Sequence, residues 1–196
     1  MRKITPEKYE PKKMSNLFYS LIAPRPVVLV TTLSRPETVN CAPFSFFQVV
    51  CANPPLVSLS ITRPENDSKG RKDTLRNALL GGEFVVHTVR SSHLAEVERA
   101  GEEYPVETSE LEEIGLSRVE SSQVRVPGIA GLPVRMECKL RDQLALAAGE
   151  ATVLFGEVME LYIDEDIIEE SSGQVDLQKL NPLLHTGPGS YTEFNS

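Results

Sequence analysis

The sequence predicts a mainly β fold, an antiparallel barrel with peripheral helices, and three observations point to it. Segments of strand character are joined by hairpins and irregular loops rather than by regular helical crossovers. The helical segments are short. No repeated βαβ unit, internal repeat or low-complexity linker divides the chain, so its 196 residues read as a single domain, long enough to bury a full core without disulfides or metal.

The elements follow in order. Residues 1–16, rich in Lys, Glu and Pro, read as an N-terminal arm over the surface, with one helical turn expected near Met14 to Leu21 and the barrel domain spanning 17–196. From Pro26 to Leu33 the run PVVLVTTL is β-branched and almost continuously apolar, the pattern of a strand covered on both faces. Ser34 to Thr38, with Pro36, reads as a turn, after which a polar and aromatic loop begins at Asn40-Cys41-Ala42-Pro43 and carries Ser45, Phe46, Phe47 and Gln48. Leu56 to Ile61 alternates as a strand with one buried face. A charged excursion from Thr62 to Lys72 leads to a helix that starts at Asp73 or Thr74, both good N-cap residues, and stops at Gly81-Gly82.

Glu83 to Val89 is the next strand, Leu94 to Gly101 a short helix, and a second helix is expected after a Ser109-to-Glu112 capping box, ending at Gly115. Val124 to Gly131 is a Pro and Gly loop. Pro133 to Leu146 and Ala151 to Ile163 have β character and suit a hairpin turned near Gly149; an acidic patch from Asp164 to Glu170 and an irregular tail complete the chain. The reading gives five or six strands and two or three short helices.

Charge and composition exclude whole classes of function. A net charge of −8 and a pI near 5.0 repel a phosphate backbone, so no nucleic-acid partner is expected. No apolar run approaches the roughly 20 residues that span a bilayer, and no signal-type segment follows Met1-Arg2-Lys3, so the reading is no membrane partner and a cytoplasmic location. Cys41, Cys51 and Cys138 are odd in number and widely spaced, which argues against a disulfide framework or a structural zinc site; each reads most simply as a small buried residue, and Cys41 is the one placed where reactivity could matter. His87 and His93 have no neighbours at metal-ligand spacing, and no metal is expected. His185 differs, lying in a Gly and Pro tail with Tyr191.

Two sets of residues can hold a ligand. The helix at Asp73-Thr74 begins with unpaired backbone N–H groups, a hydroxyl, and Lys69, Arg71 and Lys72 just before it, a ready phosphate site, although alone the motif reads first as an ordinary capped helix with solvated charges. Thr31, Thr32, Asn40 and Ser45 are donors on two sides of one turn. No catalytic triad order, P-loop or GxGxxG is present.

The succession Pro24-Arg25-Pro26, Thr31-Thr32, Asn40-x-Ala42-Pro43-Phe44-Ser45-Phe46-Phe47, Asn53-Pro54-Pro55 and Lys72-Asp73-Thr74-x-x-Asn77 resembles the flavin reductase-like, FMN-binding split-barrel proteins, the group that includes flavoredoxin. Glu83-Phe84-Val85-Val86, Glu110 to Leu116, Glu137-Cys138 and Gly156-Glu157-Val158 fall where that family has similar stretches, so the likeness runs from about residue 17 to 194. It implies a six-stranded antiparallel split barrel that works as a homodimer with FMN at the subunit interface. By position, Thr31, Thr32, Asn40, Ala42, Ser45, Phe46 and Phe47 would line the cofactor, and Lys72 and Thr74 would hold its phosphate. The implied function is an FMN-binding oxidoreductase, either an NAD(P)H-dependent flavin reductase or a flavoredoxin-like electron carrier with a redox partner protein. Hydride would go to flavin N5, with NADH or NADPH as reductant. The alternative is an FMN-binding storage or sensor protein without reductase activity. Cys41, the turn without Gly, and His185-x-Gly187-Pro188-Gly189-x-Tyr191, where relatives carry Arg, Gly-Gly and Tyr, depart from the family pattern.

Overall fold

A computed structural model describes residues 1–34, 38–62, 73–102, 104–105, 108–146 and 151–194. In chain order it contains α1 (Pro11–Leu21), β1 (Arg25–Pro26), β2 (Val28–Leu33), β3 (Val39–Phe44), β4 (Phe47–Ala52), β5 (Pro55–Thr62), α2 (Asp73–Gly81), β6 (Glu83–Thr88), α3 (Leu94–Ala100) and α4 (Glu110–Glu113). Then come β7 (Arg118–Val119), β8 (Gly128–Ile129), β9 (Val134–Leu146), β10 (Ala151–Ile163), β11 (Ile168–Glu169), β12 (Gln174–Val175), α5 (Leu177–Leu180), β13 (Leu184–Gly187) and β14 (Ser190–Thr192).

Seven of these strands form one antiparallel sheet in the order β3-β2-β6-β9-β10-β5-β4. Its two edge strands, β3 and β4, are consecutive in the chain and separated only by Ser45 and Phe46. A sheet whose edges lie two residues apart must curl round on itself, and because no ladder joins β3 to β4 the barrel stays split along that seam. Pro43 sits in β3, where an edge strand tolerates a residue with no N–H to donate. The main sheet thus has seven strands where six were expected.

Burial explains the apolar run of β2. Val28 and Val30 face the barrel interior with Val57, Leu59, Ile61, Phe84, Val86 and Leu154, and α2 closes that core with Leu75 and Ala78. Leu29 faces the other way, with Val39 and Cys41, into a second core covered by Val97 and Ala100 of α3 and Leu111 of α4. A strand buried on both faces has no solvent side on which to place polar residues.

Four sequence expectations change. The stretch from Asn40 to Gln48, read as a loop, is mostly strand, because β3 pairs with β2 from Val28↔Phe44 to Leu33↔Val39 and β4 pairs with β5. Ser109 makes no side-chain cap, so the capping box does not form; its carbonyl instead accepts from the N–H groups of Glu112 and Glu113 at 3.1 and 3.2 Å. The C-terminal tail is ordered into β13 and β14, which pair with each other and with β1. α1 is also longer than the single turn expected: it starts at Pro11, inside the stretch read as an arm, and none of its residues is buried. The turn residues 35–37, the excursion 63–72 and the Gly149 turn lie outside the described residues.

One close approach fixes the meeting of β6, β9 and β10. A Cβ at Gly156 would lie 2.3 Å from Phe84 Cζ and 3.2 Å from Cys138 Cβ, inside the barrel core. Gly156→Ala is therefore expected to cost about 1–3 kcal/mol by overpacking. Adding Phe84→Leu should make the double variant lose less than the sum of the two single changes, as read by urea denaturation of the full cycle. Additive losses would place the strain elsewhere.

Candidate functional site

The predicted site residues fall into three groups. Thr32 and Asn40 are direct partners across β2 and β3, and both face α2. There Asn40 Nδ2 donates to Thr74 Oγ1 at 3.0 Å, and Asn77 Nδ2 donates to Thr32 Oγ1 at 3.2 Å. All four side chains are buried. Each hydroxyl accepts from an amide and so keeps its own proton to give. Asn77, one helical turn after Thr74, was not among the predicted contacts, although its place in the Lys72-Asp73-Thr74-x-x-Asn77 motif marks it.

The second group gathers at the split corner. Ser45 Oγ lies 2.9 Å from His185 Nδ1, and Arg25 Nη2 reaches the same nitrogen at 3.0 Å. The Arg25 guanidinium also donates to the carbonyls of Tyr19, at 2.5 Å, and Ile22 at the end of α1, and it stands 5.4 Å from the Phe46 ring centroid. Arg25 is buried and its Nε has no partner among the described residues. Tyr19 meets Phe46 edge-on at 5.2 Å, and His185 meets Tyr191 at 5.2 Å. Ala42 and Phe47, both half-buried, line the interior beside this corner. Arg25 had been visible only as part of a Pro-Arg-Pro signature.

Thr31 stands apart. Strand alternation turns it away from Thr32, and its hydroxyl donates to the Pro127 carbonyl at 2.7 Å, so it anchors the loop before β8. Lys72 lies outside the described residues. Cys41 is fully buried, burial and nearby Glu110 raise its thiol pKa, and the expectation of reactivity does not hold for so inert a thiol. His87 is likewise structural: burial lowers its pKa to about 3, its ring lies 3.2 Å from the Leu29 carbonyl, and its Nε2 accepts from the Ile129 N–H at 2.9 Å.

A shallow polar pocket opens beside the first group, between the ends of β2 and β3, α2 and α4. Its lining includes Ser34, Asn40, Asp73, Arg76, Asn77, Thr108 and Glu110. Arg76 pairs with Asp73 at 2.5 Å. Glu110 Oε2 accepts the Cys41 N–H, on the free edge of β3, at 2.7 Å. Nothing local in the sequence distinguishes this glutamate from Glu112 or Glu113.

Burial raises the Glu110 pKa from 4.5 to about 7, with the Cys41 N–H opposing the rise and Asp73 adding to it. An acid whose folded pKa is raised stabilises the fold fully below its unfolded value, and this contribution disappears as pH climbs from about 4.5 to 7. Glu110→Gln keeps an oxygen for the Cys41 N–H and removes the charge. Between pH 5 and pH 8, the wild type should lose more urea resistance than the variant. Parallel pH curves would show that Glu110 titrates normally.

Residues 20–193 match the flavin reductase like domain. The chain belongs to the flavin reductase-like family. YwrF, an uncharacterised protein of Bacillus subtilis, is 35% identical over 187 residues, 93% of this chain and 90% of that one. Nitrilotriacetate monooxygenase component B from Bacillus cereus is 33% identical, with a TM-score of 0.93 over 100% of this chain and 96% of that one. The 2-nitrobenzoate 2-nitroreductase of Pseudomonas fluorescens is 26% identical, with a TM-score of 0.86 over 98% and 91%. The seam between β3 and β4 is thus the opening of a split barrel of the flavin reductase-like family.

The donor chemistry can be tested against a flavin mononucleotide. Thr32 and Thr74 each have a hydroxyl proton with no acceptor among the described residues; Thr74 is the second residue of a nine-residue helix whose first N–H groups favour an anion, and Thr32 faces Asn77 one turn further along it. That set fits a phosphate. The half-buried Ser45, Phe46 and Phe47 corner offers one hydroxyl between aromatic rings, which fits a planar ring system. Among the described residues, no helix is long and apolar enough to cross a membrane.

Proposed function

We propose that this protein is an FMN-binding oxidoreductase, a flavin reductase or flavoredoxin-like electron carrier that takes electrons from NADH or NADPH and works as a homodimer in the cytoplasm. The observation that carries the reading is the buried Thr32–Asn40–Thr74–Asn77 cluster at the start of α2, in a chain of the flavin reductase-like family. Neutral donors held by one another at a helix start are preorganised for a phosphate. Relatives named as a monooxygenase component and a nitroreductase agree with redox work.

Bound FMN would supply a two-electron centre, the chemistry that the protein's own side chains lack. The residues bind and orient. Thr74 and Thr32 would give hydroxyl protons to the phosphate, with Lys72 adding a cation, and Asn40 and Asn77 hold those hydroxyls in place. Ala42, Ser45, Phe46 and Phe47 would shield the ring from water. Thr31, tied to Pro127, holds its strand in position rather than touching the ligand.

The free edge supports the proposed assembly. β4 is an edge strand whose Val49 and Val50 are 64% and 46% exposed, and Phe18, Leu21 and Ile22 at α1 are exposed too. An unpaired edge with exposed apolar residues is a natural partner surface. The purified protein should be yellow, bleach anaerobically with NADH or NADPH, and release FMN on dilution to monomer. A colourless protein that takes up no added FMN would sink the proposal, and binding without reduction by either nucleotide would favour the storage or sensor reading.

A further inference from the structure

We infer that Arg25 and His185 lock the Ser45 hydroxyl as a hydrogen-bond acceptor, which makes His185 a positioning residue that selects for a ligand N–H or O–H at the split corner. The inference rests on the reading of Ser45 as a flavin contact, and it deepens that reading by fixing the polarity of the contact.

The polarity follows from the donors. A guanidinium only donates, so the Arg25 Nη2 contact at 3.0 Å requires a lone pair on His185 Nδ1. The imidazole is then neutral, with its proton on Nε2. Ser45 Oγ lies 2.9 Å from the same nitrogen, and an oxygen lone pair facing it would repel, so the hydroxyl turns its own proton toward Nδ1, whose single in-plane lone pair is shared between the guanidinium and the hydroxyl in a three-centre contact. With its single proton committed, Ser45 has only acceptor capacity left for anything that reaches it. A ligand carbonyl is disfavoured there, and a ring N–H or a polyol hydroxyl is favoured.

The surroundings hold this arrangement. Arg25 cannot easily swing away, because its guanidinium is bound to the Tyr19 and Ile22 carbonyls and lies beside the Phe46 ring. The groups facing His185 are Arg25 from β1, Ser45 from the β3–β4 corner, Tyr191 from β14 and the Gly187 carbonyl of its own strand. None of these is a carboxylate. Burial and then Arg25 lower the His185 pKa, with the Gly187 carbonyl opposing them, which agrees with a ring kept neutral.

The first measurement needs no ligand. In 15N-labelled protein the His185 ring should show an unprotonated Nδ1 and a protonated Nε2, and titrate below the ordinary 6.5, whereas Arg25→Met should let it titrate closer to that value. The second is FMN and riboflavin affinity by fluorescence quenching. His185→Asn offers an amide oxygen in place of Nδ1 and should bind both flavins within about threefold of wild type. His185→Leu frees the Ser45 proton and should weaken both about tenfold, as should Ser45→Ala, and the double variant should be no weaker than Ser45→Ala. A ring protonated at Nδ1 in the wild type, or wild-type affinity in His185→Leu, overturns the inference. Wild-type protein that binds no flavin would overturn the proposed function and the ligand role of Ser45 together, and the ring spectrum would still decide the lock on its own.

Discussion

Thr74→Val should weaken FMN by about 10- to 100-fold while changing riboflavin much less, because the lost interaction is a charge-assisted bond to phosphate worth about 1.5–3 kcal/mol. Valine keeps the shape of threonine and removes only the hydroxyl. The change also strips Asn40 Nδ2 of its acceptor, and Asn40 is buried, so the variant should lose about 1–3 kcal/mol of stability as well. The two losses separate cleanly, since the stability loss weakens both flavins through the folded fraction alone, whereas the phosphate contact weakens only FMN. Thr74→Ser restores the hydroxyl and should bring back most of the FMN affinity. Equal weakening of FMN and riboflavin by Thr74→Val would show that the cluster at the start of α2 faces something other than the phosphate.

What the sequence made legible depends on how local each signal is. β2 could be read from its apolar run because burial on two faces leaves no other pattern, and α2 from its start at Asp73 and its stop at Gly81-Gly82. β3 could not. Asn40, Ala42 and Pro43 have poor β propensity, and they form a strand because β2 pairs with them along its whole length, a tertiary effect that overrides local preference. The site shows the same divide. Asn40 and Thr74 were both singled out, but their bond joins residues 34 apart, and only the curl of the sheet brings α2 against β3. Ser45 and His185 are 140 apart, so the polarity of that contact was beyond any local motif. Glu110 looked like one acid among several until the free edge of β3 supplied the N–H that it accepts.

Glu137 has the largest stability effect to measure. Its side chain is fully buried in β9, and its oxygens accept from the Ser122 N–H at 3.0 Å, the Gln123 N–H at 2.7 Å and the Ser122 hydroxyl at 3.4 Å. Arg135, only 11% exposed, stands 3.7 Å away with its guanidinium 3.9 Å from the Tyr162 ring centroid. Glu137→Ala leaves that cation without its carboxylate and two amides without acceptors, a loss of about 3–5 kcal/mol against a typical total of about 5–15. Replacing both partners, as Arg135→Met with Glu137→Met, removes the uncompensated charge and should recover part of the loss. A Glu137→Ala protein within about 1 kcal/mol of wild type in urea would mean that the buried carboxylate contributes little.

The consequence should reach the proposed flavin site through one loop. Glu137 holds residues 122 and 123, and the same loop is tied to the barrel by Thr31 through the Pro127 carbonyl and by His87 through the Ile129 N–H. Gly128 lets the Arg135 side chain pass beneath it, where a Cβ would lie 2.3 Å from Arg135 Cδ. Thr31 is the neighbour of Thr32 in β2, so a loosened loop removes a restraint from the strand that carries Thr32. Hydrogen exchange at the Ser122, Gln123 and Ile129 amides should therefore accelerate together in Glu137→Ala. Acceleration confined to Ser122 and Gln123 would show that the loop is held piecewise and that the flavin side is insulated from it.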